Sequence, residues 1–250
     1  MKVKNIIIIV LFSLIIMGMF VLNIVVEDKQ ISIEERRKLA QFPEISLDKI
    51  FETNLVEKFE SYAVDQIACR KEYRSLKSFV NVNLYNQKDD NLYFEKDNSI
   101  YKIEYPLNKN NLDKTTDVIM NVYNKYLKDM NVYYAIIPDK NFYLEDDHLK
   151  INYNELKTIV NNKFTEFKYI DIWNDLKLDS YYKTDIHWRQ ESIISVANKI
   201  NTAMNNGEVK DEFTRENIGK FYGTYYGQIA AEVTADDMFV LKNDDINNAV

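Results

Sequence analysis

Hydrophobic residues open the chain in one long run. Between Ile6 and Val26 only Ser13 and Asn23 are polar, and about 20 apolar residues suffice for a helix to cross the hydrocarbon core of a bilayer. A cleaved signal peptide has a shorter apolar region, about 7–15 residues, and small residues at the cleavage site. The run here ends in Asn-Ile-Val-Val, which offers no such site. The pattern therefore predicts a signal-anchor transmembrane helix over residues 1–26.

The charges that flank this run bear on its orientation. Lys2 and Lys4 precede it and favour a cytoplasmic N-terminus, because lysine and arginine are enriched on the cytoplasmic side. Three basic residues at 36–38 weaken that assignment, although four acidic residues at 27–35 accompany them. A buried core helix and a signal peptide cleaved at an unrecognised site stay open as alternatives. We expect a single-pass protein of the cell membrane with an extracytoplasmic soluble domain.

Beyond the run, the spacing of apolar residues alternates between helical and extended periods. Intervals of three and four predict helices over 47–82, 112–130 and 154–164, and one that begins near Arg189. Short apolar runs bounded by turn residues predict strands over 92–94, 99–103, 132–137 and 168–172. Strands that alternate with helices imply a parallel sheet covered by helices. We therefore expect an α/β domain at 86–250, preceded by a juxtamembrane stalk with helices at 27–85.

Composition narrows the possible partners. The formal net charge is −7, with 32 lysines and arginines against 39 acidic residues. A protein that neutralises phosphates needs a basic surface, so nucleic acid is excluded as a partner. A single cysteine, Cys69, excludes an internal disulfide, and we expect it to be a small buried apolar side chain. The acidic pairs at 236–237 and 244–245 are interpreted as solvated loop charge, and 244–250 as a chain end without a closing strand or helix.

One short segment carries the residues of a reactive site. His187 is one of only two histidines, and it follows Asp185 by two residues. A carboxylate beside an imidazole can hold the ring's tautomer and stabilise the imidazolium that forms when the ring takes a proton from a nucleophile. The Asp-x-His spacing alone is common, so a structural histidine is the alternative. The second histidine, His148, follows acidic residues 145–147, and we interpret that segment as a solvated turn rather than a metal site.

The surrounding motif resembles the DHHW family of exported bacterial proteins, which is related to SGNH-like alginate-type O-acetyltransferase domains. The motif is Thr184-Asp185-Ile186-His187-Trp188, and further matching segments lie along most of the chain, before it at 35–43, 59–62 with Arg70, 90–100 and 136–140, and after it at 221–224. The resemblance implies an SGNH-like three-layer α/β/α sandwich. It also implies that Asp185 and His187 are catalytic, that Lys140 can face the substrate, and that Trp188 packs beneath the loop.

Two departures from the family pattern matter. Ile186 stands where the family has its first histidine. The family's nucleophilic serine is expected in a Lys-Asp-Ser-Tyr-like segment well after the motif, but no serine occurs between Val196 and Val250. Ser180, Ser192 and Ser195 lie near the motif without the glycine-supported elbow that a nucleophile needs. We therefore expect a sandwich that is incomplete at its C-terminus.

The resemblance implies a membrane-anchored acyl ester transferase or esterase, with acetyl as the expected group and cell-surface or exported polysaccharide as substrate. It further implies an integral membrane acyl donor protein as a partner. Tyr181 and Tyr182 are the candidate sugar-stacking residues beside Lys140. No metal or organic cofactor is expected, because triad chemistry needs only a base, a nucleophile and oxyanion donors. The alternative is a non-catalytic tethered module that binds glycan or a protein partner.

Overall fold

Helices and strands alternate through the residues that the computed structural model describes, which are 2–45, 54–85, 87, 92–145, 148–209 and 212–248. The helices are α1 (Lys2–Val25), α2 (Leu55–Gln66), α3 (Arg70–Phe79), α4 (Lys109–Val122), α5 (Tyr153–Lys163), α6 (Ile194–Ala203), α7 (Thr224–Ile229) and α8 (Asp244–Asn248). The strands are β1 (Ile31–Ser32), β2 (Arg37–Lys38), β3 (Tyr93–Lys96), β4 (Ser99–Lys102), β5 (Tyr133–Tyr134), β6 (Lys168–Tyr169), β7 (Thr214–Phe221) and β8 (Asp236–Lys242). The fold is therefore a mixture of helices and sheets.

Helix α1 agrees with the predicted N-terminal span. Its residues Val3–Val25 have a mean hydropathy of 2.9 and none of them is buried against the rest of the protein. A helix of this length and composition can cross a membrane, and a signal sequence near an N-terminus has the same properties.

The centre of the chain contains the predicted strand–helix alternation in shortened form. Strand β5 pairs in parallel with β6, and helix α5 lies between them along the chain. Helix α5 starts where the Asn152 side chain accepts the Glu155 N–H at 3.1 Å. The predicted strand at 132–137 is paired mainly at its start, and its later carbonyl at Ile136 accepts the Trp173 indole N–H at 2.7 Å. Four separate two-stranded sheets form in the described residues, and the three-layer sandwich stays a prediction.

Strands β3 and β4 confirm the predicted pair of short strands. They form an antiparallel hairpin around Asp97 and Asn98, whose φ angles of 51° and 58° suit the tight turn between two right-twisted strands. Ile100 and Tyr101 of β4 are fully buried. The Ile100 N–H donates to the Lys183 carbonyl at 2.8 Å, so this hairpin supports the segment that carries Asp185.

The C-terminal region differs from the expectation. Strands β7 and β8 form a long antiparallel ribbon, and helices α7 and α8 follow these strands in turn. The expectation that 244–250 lacks a closing element is wrong for the described part, because Asn243 caps α8 by accepting the Ile246 N–H at 2.8 Å. The predicted helix start near Arg189 is also wrong: α6 begins at Ile194 after a short 3-10 turn.

The stalk region packs through charged contacts. Asp65 of α2 accepts two hydrogen bonds from the Arg37 guanidinium at 2.6 and 2.8 Å, which lower the pKa of Asp65 to about 2 although partial burial opposes them. Glu35 pairs with Arg70 at 3.0 Å.

The expectation that Cys69 is buried is wrong: it is exposed, at a left-handed φ of 58° between α2 and α3. The first part of the predicted helix, residues 47–53, lies outside the described residues.

Candidate active site

A closed loop presents Asp185 and His187. Its two ends meet in an antiparallel bridge between Tyr181 and Trp188, reinforced by a 3.1 Å hydrogen bond from the Tyr182 N–H to the His187 carbonyl. Trp188 packs against the core cluster around Trp173. We call residues 181–189 the site loop. Its closure by backbone hydrogen bonds fixes the direction in which the two side chains point.

Asp185 and His187 form a carboxylate–imidazole pair. The ring Nδ1 of His187 lies 2.5 Å from Asp185 Oδ1, and the His187 backbone N–H donates to the same oxygen at 3.1 Å. The Asp185 side chain is 3% exposed and that of His187 is 73% exposed. When Nδ1 carries the proton and donates to the carboxylate, Nε2 is left unprotonated on the exposed ring. The pair can therefore accept a proton from a group that approaches from solvent.

The second oxygen of Asp185 is held from the other side. Oδ2 accepts the Thr224 N–H at 2.7 Å and the Thr224 hydroxyl at 3.3 Å. Burial alone would raise the pKa of Asp185, but hydrogen bonds from the Thr224 N–H and from His187 outweigh it and leave this pKa lowered. Asp185 therefore remains a carboxylate at neutral pH, the state that can stabilise an imidazolium.

Asp236 is a buried acidic residue that supports the site loop from beneath. Its carboxylate accepts hydrogen bonds from the backbone N–H groups of Lys183 and Thr184 at 2.9 and 2.8 Å and from the Thr184 hydroxyl at 2.6 Å. The Arg189 guanidinium pairs with it at 2.9 Å. The interpretation of Asp236 as solvated loop charge is therefore wrong, since its side chain is 0% exposed. The first position of β8 holds it under the loop.

Gly223 permits the close approach of α7 to the site loop. Its N–H donates to the Thr184 hydroxyl at 2.8 Å. A Cβ atom at this position would overlap the Asp185 side chain and the Thr184 carbonyl. Only glycine therefore allows the start of α7 to bring the Thr224 N–H onto Asp185.

The three predicted substrate-binding residues are buried at the base of the site loop, where Tyr181 and Tyr182 are its first two residues. The Lys140 ammonium is buried, donates to the Tyr182 and Lys183 carbonyls at 3.0 Å each, and lies 5.0 Å from the Tyr101 and Tyr225 ring centroids. Burial lowers the pKa of Lys140 to about 7, against the attraction of Asp236 and Asp185. Tyr181 donates its hydroxyl to the Pro138 carbonyl. Tyr182 packs edge-on against Phe221. Their substrate-binding role stays a prediction.

Arg36 enters the site from the stalk, a contact that the sequence did not predict. Its Nη1 lies 3.7 Å from Asp185 Oδ2, and its Nη2 donates to the Tyr222 carbonyl at 3.2 Å. The Arg36 side chain is 44% exposed, so a cation lies at the surface beside the carboxylate that orients the exposed imidazole. The sequence signal for Arg36 is its position in segment 35–43, one of the segments that resemble the DHHW family.

The other candidates have structural contacts. The Ser180 hydroxyl accepts the Lys177 N–H at 3.1 Å and is buried, and the Ser195 hydroxyl donates to the Asp175 carbonyl. His148 packs 5.3 Å from the Phe94 ring centroid; residues 146–147 beside it lie outside the described ranges. In the part of the chain that the structure describes, no group of three or more histidine, cysteine or acidic residues is arranged to hold a metal ion.

Comparison with known proteins gives a weak likeness. No protein-family model and no curated protein matches the sequence. A DHHW family protein from Eubacterium siraeum is 16% identical with a TM-score of 0.49, over 60% of this chain and 53% of that one. PatB1 from Bacillus cereus is 17% identical with a TM-score of 0.47, over 62% and 60%. The chain thus spans between half and three-fifths of these structures. One neighbour carries the family name that the loop motif resembles; values this low assign neither family nor activity.

Proposed function

We propose that the Asp185–His187 pair is the base of an acyl-transfer or ester-hydrolysis site in a membrane-anchored, extracytoplasmic protein. The observation that carries this proposal is the 2.5 Å contact between a carboxylate that is 3% exposed and a ring that is 73% exposed. A histidine with a purely structural role has no need to hold its ring in solvent. The polar contacts beneath the loop support the proposal, because they hold the carboxylate in place without occupying the exposed edge of the ring.

In the proposed reaction, Nε2 of His187 takes the proton from a serine hydroxyl as its oxygen attacks the carbonyl carbon of an ester. Asp185 stabilises the resulting imidazolium, which then returns the proton to the leaving oxygen. No hydroxyl within the described residues is hydrogen-bonded to the His187 ring. We propose that the nucleophilic serine lies outside these residues, within an SGNH-like three-layer sandwich. The acyl group would be acetyl, supplied by an integral membrane acyl donor protein. The acceptor would be a cell-surface or exported polysaccharide.

A second function is favoured by a different observation. The exposed His187 ring and the partly exposed Arg36 side chain lie on either side of Asp185, and within the described residues no hydroxyl is hydrogen-bonded to the ring. A tethered module that binds glycan or a protein partner without turnover would need only these exposed side chains. The two functions differ in whether an acyl group is released or transferred.

The test is an acyl-transfer assay on the full-length gene product in membranes, with p-nitrophenyl acetate as donor and purified cell-surface polysaccharide as acceptor. His187→Ala is expected to lower the rate by about 10²–10⁴-fold, the usual contribution of a positioned general base. The matched control is His148→Ala, which removes the only other histidine and should leave the rate unchanged. Equal rates in both variants, with secondary structure preserved, would refute the assignment. Glycan binding that depends on His187, without any acyl transfer, would favour the binding module.

A further inference from the structure

Helix α3 turns a polar side toward the protein and an apolar side outward. Its one buried residue is Ser78, and Arg74 reaches inward to donate to the Gly227 and Gln228 carbonyls of α7. On the opposite side, Tyr73 is 44% exposed, Leu76 57% and Phe79 45%. A helix at the surface of a soluble protein has the reverse arrangement, with its apolar side against the core.

The exposed apolar residues lie on one side of α3, which they share with the exposed Glu72, four residues before Leu76. Tyr73, Leu76 and Phe79 recur every three residues and so lie on one side of the helix. The π-helical turn Val80–Leu84 extends α3, and Leu84 in it is 68% exposed. Large apolar side chains that are exposed together on one side of a helix mark a site of interaction with a protein or a membrane.

Two contacts join this region to helix α1. The Ala68 N–H, just before α3, donates to the Asn23 side chain at 2.7 Å, and the Tyr73 hydroxyl lies 3.4 Å from the sulfur of Met19. Met19 precedes the end of α1 at Val25 by six residues, a rise of about 9 Å along the helix axis. If α1 spans the bilayer, Tyr73 therefore lies level with its outer acyl or headgroup layer. The apolar side of α3 is then continuous with the lipid-facing surface of α1.

We propose that α3 is a second membrane-binding element, which rests on the outer surface of the phospholipid bilayer with Tyr73, Leu76 and Phe79 in contact with lipid. This proposal rests on the membrane anchoring proposed above. Lys77 lies one turn after Tyr73 at the edge of the apolar side and is exposed, as expected of a lysine near lipid headgroups, whereas Lys71 lies toward the inward side and pairs with Glu34 at 2.9 Å. Tyrosine is likewise enriched at the boundary between acyl chains and water.

The contact would fix the height of the candidate site above the membrane. Arg70 and Arg74 of α3 both pair with Glu35, at 3.0 and 3.3 Å. Arg74 also donates to the Gly227 and Gln228 carbonyls of α7, and the N–H of Thr224, the first residue of α7, holds Asp185. A bilayer-bound α3 would thus hold the Asp185–His187 pair close to the membrane surface, where an acyl group delivered through the membrane would emerge.

The test uses the full chain reconstituted in vesicles of phosphatidylcholine and phosphatidylglycerol. Cys69 is replaced by serine, and a polarity-sensitive fluorophore is attached to single cysteines introduced as Leu76→Cys, as Leu14→Cys in α1, or as Val118→Cys. Val118 is the matched control, an apolar residue of α4 that is 62% exposed. We expect emission from positions 76 and 14 to shift to shorter wavelength and to lose intensity when the lipids carry a doxyl quencher. Position 118 should do neither.

The other outcomes are decisive against the proposal. Water-like emission at position 76 with lipid-like emission at position 14 would overturn it and leave the anchor intact. Water-like emission at both positions would overturn the anchor and the proposal together. A blue-shifted signal at position 76 that lipid quenchers leave unchanged would mean that another protein, or a second copy of the chain, covers this surface instead of lipid.

Discussion

The site loop and helix α3 depart from the usual distribution of polar and apolar groups in opposite directions. Beneath the loop, the carboxylates of Asp185 and Asp236 are almost completely buried, and each accepts several hydrogen bonds. On α3, apolar side chains such as that of Leu76 are exposed while Ser78 is buried. Buried polar groups and exposed apolar surfaces are the informative exceptions in a folded protein.

The difference shows what each region is built to meet. Burying a carboxylate is costly unless hydrogen bonds replace its lost hydration, so the network under the loop indicates a geometry that must be kept. Leaving leucine and tyrosine in water forgoes their hydrophobic stabilisation, so the surface of α3 indicates a missing apolar environment. Changes to the loop network should therefore act on stability and geometry, and changes to α3 should act on membrane contact.

The largest effect is expected from Asp236→Ala, which removes the carboxylate that pairs with Arg189 and accepts the Thr184 hydroxyl hydrogen bond. Breaking a buried ion pair from one side typically costs about 3–5 kcal/mol of the free energy of unfolding. Urea unfolding of the chain in phospholipid nanodiscs, followed by tryptophan fluorescence, measures this loss. Asp237→Ala, at a neighbouring side chain that is 41% exposed, should change it by no more than about 0.5 kcal/mol. Similar losses in both variants would remove the distinction between buried network and surface charge.

Gly223→Ala comes next. The added methyl group overlaps the Asp185 side chain, and overpacking of this kind costs about 1–3 kcal/mol. We expect a lower free energy of unfolding and a displaced carboxylate. Gly207 has nothing within 4 Å of the same position, so Gly207→Ala should be tolerated. A Gly223→Ala variant as stable as Gly207→Ala would show that α7 does not need its close approach.

The burial of Lys140 predicts a pH dependence of stability. Its pKa of about 7 in the folded protein lies below the ordinary value of about 10.4. Between these values the unfolded chain binds more protons, so the free energy of unfolding rises with pH, by at most about 1.4 kcal/mol per pH unit. Lys140→Met should flatten this rise in urea titrations between neutral and alkaline pH, whereas Lys114→Met, at an exposed lysine of α4, should retain it. If the free energy of unfolding of Lys140→Met rose with pH as steeply as that of the unmodified protein, the lowered pKa of Lys140 would not be the cause of the rise.

The smallest effect is expected from Arg36→Gln. The guanidinium is 44% exposed and lies 3.7 Å from Asp185, and exposed ion pairs contribute about 0–1 kcal/mol. Arg74→Gln should cost more, about 1.5–3 kcal/mol, because this guanidinium is only 21% exposed and binds carbonyls of α7. The two unfolding titrations compare a surface pair with an inward one. The reverse order would mean that Arg36 holds the stalk and site loop together.

Local signals in the sequence predicted the features that depend on neighbouring residues. The long apolar run predicted α1. The short apolar runs bounded by turn residues predicted strands β3 and β4, and the Asp-x-His spacing predicted the Asp185–His187 pair. Each of these depends on residues close together along the chain.

The remaining site residues could not be predicted in the same way. Asp236 lies 52 residues from its partner Thr184, and Thr224 and Arg36 lie 39 and 149 residues from their partner Asp185. Nothing local distinguishes Asp236 from its neighbour Asp237. The position of Lys140 at the end of a strand run was visible, but whether its side chain points into the protein depends on the distant rings of Tyr101 and Tyr225.

The tautomer of His187 distinguishes a general base from a structural histidine, because the proposed chemistry requires an unprotonated Nε2 on the exposed ring. With only two histidines in the chain, nitrogen-15 NMR of labelled imidazoles in the full protein resolves His187 against His148, assigned with His148→Ala. We expect a neutral ring protonated at Nδ1, and loss of that preference in Asp185→Asn. A neutral His187 protonated at Nε2 in the unmodified protein, unaffected by Asp185→Asn, would rule out His187 as the proposed base.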